Sequence, residues 1–416
     1  MIVQKFGGAS VASPDTLQKT AGHVIRAVEA GESVAVVVSA MQGVTDQLQG
    51  YVSSLALSPD TGERDTVLSA GEQITCGLMA LALQNLGLKS CSWLAWQIPI
   101  ISETKLGLSR ISSIETEKLK TYILEGGIPV IAGFQGMNSQ GRLTTFGRGG
   151  SDITAVALAA SLGADRCDFY KDVAGIMSAD PSLVPKAKVI DRLSIQEMLE
   201  LSALGAKVLQ SRAVELAAIK NVPVRVLPNF EQGDGTYLYH EERPVEKPIV
   251  RSLVSQPNQG LLSITLKARQ DCSDLVEVLR VSHISFDMLS LIRQKAQTQK
   301  SDDRTMVVLS VAKHEIERTI ALLSTQLDLK EAAFDSVVSL SKLSLVGVGL
   351  QGHSEILSVL LKTLADHSIP ILATCTSQCR ISLLIDDTFA ELALRLLHKV
   401  FNLEGGEPHH DITRTA

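Results

Sequence analysis

A lysine and two glycines close a short apolar run: Lys5-Phe6-Gly7-Gly8. At a strand end such a pair lets backbone N–H groups approach an anion, and the lysine adds a mobile charge suited to phosphate. The same pattern also describes a plain tight turn with a surface lysine. A richer loop runs Thr144-Thr145-Phe146-Gly147-Arg148-Gly149-Gly150-Ser151-Asp152. It opens onto residues 153–162, small and apolar nearly all round, the pattern of a buried helix. The N-terminus of a buried helix offers free N–H groups to an anion. Arg148 can hold a carboxylate bidentately, and Asp152 can orient Lys5 or metal-bound phosphates.

Four further segments carry polar groups. Ser39 and Thr45 follow a β-branched run, where two hydroxyls either receive a small polar substrate or cap the next helix. Glu72, in Ser69-Ala70-Gly71-Glu72, lies among small and apolar neighbours. A buried carboxylate there needs a partner, and a ligand ammonium group fits; an exposed glutamate on the helix's outer stripe is the other reading. Tyr170-Lys171-Asp172 and the stretch from Met177 through Asp180 to Ser182 follow another strand and can contact a nucleotide's base, ribose or metal. Gly205-Ala206-Lys207-Val208 is a glycine turn with a lysine at a helix start, in reach of a phosphate.

These loops need a frame. Strands are expected at 2–6, 33–39, 128–132, 167–170 and 222–226. Helices are expected from the Ser13-Pro14-Asp15 start, over 66–86 and 151–162, from the Ser194–Glu197 capping box, and over 208–220. Alternating strands and helices imply an α/β fold with a mainly parallel sheet between helix layers. The 228–258 region, rich in Pro, Gly, Glu and Gln, reads as a connector. Beyond it the order βαββα occurs twice, two ferredoxin-like modules. The first takes strands at 261–266, 285–291 and 305–311; the second takes 342–348, 369–373 and 380–385. The expected division is 1–230 catalytic, 231–258 linker, 259–335 first module and 336–416 second module. Sheets of this kind expose edges, so a homodimer through the modules is expected.

The 416 residues are 45% hydrophobic and 20% charged, with a formal net charge of −6, a globular balance without a basic footprint for nucleic acid. No apolar run approaches the roughly 20 residues of a membrane span, and the N-terminus lacks a secretory pattern, so the cytoplasm is the expected location. The six cysteines read as free thiols, and no metal-ligand cluster is expected.

Taken in order, KFGG, SAM with TD, SAGEQ, TTFGRGGSD-TAVALAA, YKDV-G with ADP, and EMLEL-LGAKVL-RAVELA resemble the aspartokinase family of the amino-acid-kinase fold, with C-terminal ACT domains. The resemblance covers almost the whole chain. It implies ATP-dependent phosphorylation of the side-chain carboxylate of L-aspartate, with Mg²⁺, and an amino-acid effector at the ACT modules. Lys5 and Asp152 would be catalytic. Ser39, Thr45, Glu72, Arg148, Gly149, Gly150 and Ser151 would hold aspartate, with Glu72 on its ammonium and Arg148 on its α-carboxylate. Lys5, Gly7, Gly8, Tyr170, Lys171, Asp172, Met177, Asp180, Ser182, Lys207 and Val208 would hold ATP. A kinase for another acidic amino acid, or a catalytically weakened amino-acid-binding paralogue, are the alternatives.

The chain departs from the family pattern in places. Ala9 follows KFGG where Thr or Ser is usual, Ala174 stands in the YKDV-G segment where Asp is usual, and Ser182 replaces the Arg after ADP. Lys171 stands where Thr or Ser is usual and offers a replacement charge. Residues 267–271 and 352–355 lack the usual turn residues, and Leu291-Ile292 align with a Gln-Asn pair that holds effectors. Apolar side chains cannot bond an amino acid's charged groups, so weak or absent feedback by lysine or threonine is expected.

Overall fold

The computed structural model describes residues 1–56, 58–103, 106–206, 208–240, 249–267, 272–294, 304–326, 333–350 and 353–404. They form two compact units. The first comprises Met1–Met177 and Val189–Pro244; the second comprises Ser178–Lys188 and Val245 onward.

In the first unit, β1 (Ile2–Phe6) leads to α1 (Pro14–Glu29), β2 (Val34–Val38), α2 (Val44–Leu55) and the long α3 (Thr61–Asn85). Then come β3 (Ser90–Trp93), β4 (Ile100–Ser102), β5 (Ile111–Ile114), α4 (Glu117–Leu124), β6 (Ile128–Ala132), β7 (Gln135–Met137) and β8 (Leu143–Thr145). The unit closes with α5 (Gly150–Leu162), β9 (Arg166–Lys171), β10 (Arg192–Ser194), α6 (Ile195–Ala203), α7 (Ser211–Lys220), β11 (Val224–Pro228) and β12 (Thr236–Tyr239).

The main sheet runs β10-β12-β11-β9-β1-β2-β6-β3. Every pairing in it is parallel except β11 with β12. Its central strands are buried from end to end, as a sheet covered on both faces requires. The fold class read from sequence is the one observed. Ser13 and Thr16 form a reciprocal cap on α1, and Ser194 and Glu197 form one on α6.

A second, four-stranded sheet, β5-β4-β7-β8, has no counterpart in the sequence reading. Its strands are three or four residues long, too short for a period-two signal. α3 is, among the described residues, the helix long and apolar enough to cross a membrane. The sequence reading placed a helix over 66–86 and no membrane span, since Glu72 interrupts its apolar run. Half of its most apolar window is buried inside the protein, and Asp65 and Glu72 are buried with it, which makes it a core helix.

The second unit contains β13 (Ile249–Lys267), α8 (Cys272–Val281), β14 (Phe286–Gln294), β15 (Arg304–Ala312), α9 (Ile316–Gln326), β16 (Ala333–Val348), α10 (Ser354–Asp366), β17 (Ala373–Thr376), β18 (Arg380–Asp386) and α11 (Ala390–Val400). One sheet holds its strands in the order β14-β15-β13-β16-β18-β17.

Two expectations need correction here. The connector read over 231–258 contains β12 and the first part of β13. The modules are also nested instead of consecutive. Residues 249–256 pair with 342–348 of β16, and residues 259–265 pair with 333–340, with register breaks at 256–261 where Asn258 takes φ 59°. The first strand of the second module therefore precedes the whole first module. Loop-like Pro and Gln at 256–259 mark a bulge within one long strand, and composition alone reads that as a linker. The strand expected over 369–373 is observed at Ala373–Thr376; Pro370 has no N–H for a ladder, and Ile369 enters the core instead.

Candidate active site

Strand alternation decides what reaches the site. Lys5 and Phe6 point to opposite faces of β1, as do Tyr170 and Lys171 on β9. On one face Phe6 stacks on Tyr170, with ring centroids 4.9 Å apart, and His23 lies tilted against Tyr170 at 4.3 Å. On the other face lies α5, buried along nearly its whole length.

Asp152, in the first turn of α5, joins the two lysines. Its Oδ1 is 2.5 Å from Lys5 Nζ and its Oδ2 is 3.3 Å from Lys171 Nζ. All three are largely buried, with side-chain exposures of 5% for Lys5, 5% for Asp152 and 16% for Lys171. Burial pushes the Asp152 carboxyl up, but Lys171 and Lys5 outweigh it and hold it below the usual carboxylate range. Burial draws Lys5 below its ordinary value against the pull of Asp152. The result is a carboxylate aligning two ammonium groups beside a helix N-terminus, a concentration of positive charge suited to a transferring phosphoryl group.

The glycine loops close on this point. A Cβ on Gly7 would lie 3.6 Å from Lys5 Nζ, and one on Gly8 would lie 3.2 Å from the Ala40 carbonyl. Gly149 takes φ 71°, and a side chain there would collide with Gln210. Ser151 is buried under Gly133, and Gly150 under Phe134.

Glu72 sits at the core-facing side of α3. Its Oε1 accepts the Ala40 N–H at 3.0 Å, which ties α3 to the turn after Ser39. Its Oε2 has no partner among the described residues. Burial raises its pKa from 4.5 to about 7, although the Ala40 N–H and Lys5 pull the other way. The buried reading of Glu72 therefore holds, and the exposed-stripe reading does not. Buried polar atoms are almost always bonded, so this carboxylate oxygen is available to a cationic ligand group. Gln135 Oε1, on β7, is another buried oxygen without a partner among the described residues, and no sequence signal singled it out.

Ser39 and Thr45 are half-buried, one just past β2 and the other in the first turn of α2. Arg148 is exposed and makes no hydrogen bond or ion pair among the described residues. Asp172 is exposed and Val208 half-buried; Lys207 lies outside the described residues.

Tyr170 is not brought to this point, and Met177, Asp180 and Ser182 lie on the stretch that leads into the second unit. The Tyr170 ring is packed in the core, and its hydroxyl accepts from Gln4 Nε2 at 3.4 Å; it faces α1, on the side of the sheet opposite Lys5. Asp180 and Ser182 belong to the second unit. There Asp180 Oδ1 accepts from the Ser182 N–H at 2.9 Å and its hydroxyl at 2.6 Å, a self-capped turn. Met177 is half-buried and bridges Val189.

A parallel sheet carrying a lysine–aspartate–lysine cluster and glycine loops at its strand ends defines a small-molecule kinase. The profile described as "Amino acid kinase family" matches residues 1–228, and one described as "ACT domain" matches residues 343–401. The chain belongs to the amino acid kinase family and, within it, to the aspartokinases. It is 36% identical over 412 residues to the aspartate kinase of Pseudomonas putida, covering 97% of this chain and 98% of that one. It is likewise 36% identical to an aspartokinase of Helicobacter pylori, covering 97% of this chain and 100% of that one. Among solved structures it is similar in fold to Escherichia coli aspartokinase III in complex with aspartate and ADP. That match has a TM-score of 0.75 and 23% identity, and covers 96% of this chain and 99% of that one.

Proposed function

We propose that this chain transfers the γ-phosphoryl group of ATP to the side-chain carboxylate of L-aspartate, giving 4-phospho-L-aspartate and ADP. The Lys5–Asp152–Lys171 cluster carries the reading, together with full-length likeness to aspartokinases. A β-carboxylate oxygen attacks the γ-phosphorus as the bond to the β–γ bridging oxygen breaks. The carboxylate is ionised at neutral pH, so no general base is needed. The residues contribute position and charge instead.

Lys5 and the Gly7-Gly8 backbone meet the γ-phosphoryl, and Asp152 keeps both ammonium groups aimed at it. Glu72 Oε2 takes the substrate ammonium. Arg148, without a hydrogen bond or ion pair among the described residues, takes the α-carboxylate bidentately, with Ser39, Thr45 and Gly149–Ser151 closing around the amino acid. Mg²⁺ enters with ATP as part of the substrate, bridging phosphate oxygens. Asp172, Val208 and Lys207 are the remaining ATP contacts in this reading. Both substrates are cytoplasmic metabolites, and we assign the protein to that compartment.

Trapping the product with hydroxylamine tests the reading. Protein, MgATP and L-aspartate should yield aspartyl hydroxamate. Glutamate should give little, and Lys5→Ala none. Equal turnover of glutamate would move the assignment to another acidic amino acid.

We extend the proposal to regulation and assembly. Leu291 and Ile292 are 55% and 45% exposed on the edge strand β14, apolar where an effector's charged groups need partners. Lysine and threonine should not inhibit below about millimolar concentration, a level at which binding is already weak. β14 and β17 are both sheet edges, which favours a homodimer through the modules. Light scattering at micromolar concentration should return the mass of two chains; a single-chain mass would refute the dimer.

A further inference from the structure

Asp65 is fully buried on α3, seven residues before Glu72 and therefore on the same side of the helix. Among the described residues it has no lysine or arginine partner. A buried carboxylate without a counter-ion is costly unless donors satisfy it. Three do. Its Oδ2 accepts the N–H groups of Gly107 and Thr145, each at 2.9 Å, and its Oδ1 accepts the Thr145 hydroxyl at 2.8 Å. A neutral amide can keep its oxygen on the two backbone N–H groups, but its NH₂ then faces the Thr145 hydroxyl, which must stop donating there and is left without its acceptor, so this set of donors favours a carboxylate.

The clamp matters because of what it joins. Thr145 ends β8, and Arg148 follows three residues later. One turn along α3 from Asp65, the Ser69 carbonyl accepts from Gln135 Nε2 at 3.2 Å, and Gln135 is the register partner of Thr145 across the β7–β8 hairpin. On the other side, Arg212 of α7 holds the Phe146 carbonyl at 2.6 Å. The hairpin that delivers Arg148 is thus fastened to the helix that presents Glu72.

We propose that Asp65 is a positioning residue for the amino-acid substrate: it fixes the loop carrying Arg148 relative to the helix carrying Glu72, and so sets the frame that grips both ends of aspartate. The proposal rests on the aspartate-kinase reading above. It assigns Asp65 no contact with substrate and no part in ATP binding.

The test is steady-state kinetics of the full chain, with calorimetric titration of L-aspartate alone as a readout independent of turnover. D65N should raise KM and Kd for aspartate about tenfold, the effect of one buried unsatisfied donor, while KM for ATP stays within about twofold. T145V keeps shape and removes only the hydroxyl donor, which keeps the question answerable if D65N does not fold. It should raise the same constants by a smaller factor, and T145S should recover most of that loss. Unchanged aspartate constants in folded D65N and T145V overturn the proposal. So do aspartate and ATP constants that rise together with a lowered melting temperature, because that is a general structural tie. A wild-type protein that binds aspartate but makes no aspartyl hydroxamate overturns the kinase reading alone. A wild-type protein that binds no aspartate overturns both.

Discussion

At the scale of residues, the site works by placing charges where water cannot screen them. Lys5 illustrates this: it is 4% exposed and pinned by Asp152. Replacing it by alanine removes a preorganised charge from the transferring phosphoryl, and kcat should fall about 10³-fold with far smaller changes in KM. Glu72 gives a pH prediction. Its folded-state pKa lies at about 7 against a usual 4.5. Between those values the folded state keeps a proton that the unfolded state has lost, so this residue lowers stability as pH rises through that window, by roughly 3 kcal/mol in all. Binding runs the other way, because the substrate ammonium needs the ionised form. KM for aspartate should fall as pH rises from about 6 to 8, and the slope should flatten in Glu72→Gln. A flat wild-type profile would remove Glu72 from the ammonium site. The sequence exposed Lys5, Glu72, Arg148 and Asp152 through residue type and spacing. Asp65 and Gln135 stayed hidden, because their partners lie 80 and 66 residues away in the chain.

At the scale of elements, α3 shows how one helix serves packing and chemistry together. Its buried face carries Asp65, Ser69, Glu72 and Thr75 among Leu68, Cys76, Met79 and Leu83. Gly71 lets α3 approach the turn after β2: an added Cβ would lie 2.8 Å from Ala40 Cβ and 3.3 Å from Val44 Cγ1. Gly77, six residues on, faces open space. Gly71→Ala should therefore cost about 1–3 kcal/mol by overpacking and raise KM for aspartate through the displaced Ala40–Glu72 contact. Gly77→Ala should stabilise by about 0.5–1 kcal/mol, as alanine does in a helix interior. Denaturant unfolding of the two variants checks the opposite signs. Long, strongly patterned elements such as β2 and α5 were legible in the sequence. The β7–β8 hairpin was not, since strands of three residues carry no usable period.

At the scale of the whole molecule, the chain enters the second unit twice, first for residues 178–188 and then from 245 onward. The first visit is a packed one: Ala179 and Val184 lie in the same core as Leu343, Leu360 and Leu394. Ser178 Oγ lies 2.9 Å from Nε2 of the fully buried His398. Burial lowers the His398 pKa below 6.5, with Glu404 opposing. The unfolded chain therefore takes up this proton first, and the second unit should lose stability as pH falls below about 6.5. Amide-exchange protection of Ala390–Val400 should drop from pH 7.5 to 5.5, and drop less in His398→Gln. Equal losses in both proteins would assign the acid sensitivity elsewhere.

By itself the sequence determined the layered α/β class, the order of its loops and most of the charged groups that meet at the strand ends. Each of those rests on local chemistry: side-chain period, capping, and glycine beside a lysine. Only the tertiary structure decided which groups meet. Alternation along β9 sends Lys171 toward Asp152 and Tyr170 into the core. Pairing of 249–256 with 342–348 nests one module inside the other. Long-range packing also takes Asp180 and Ser182 into the second unit. Such outcomes depend on partners far along the chain, and no local pattern records a partner that only folding brings near.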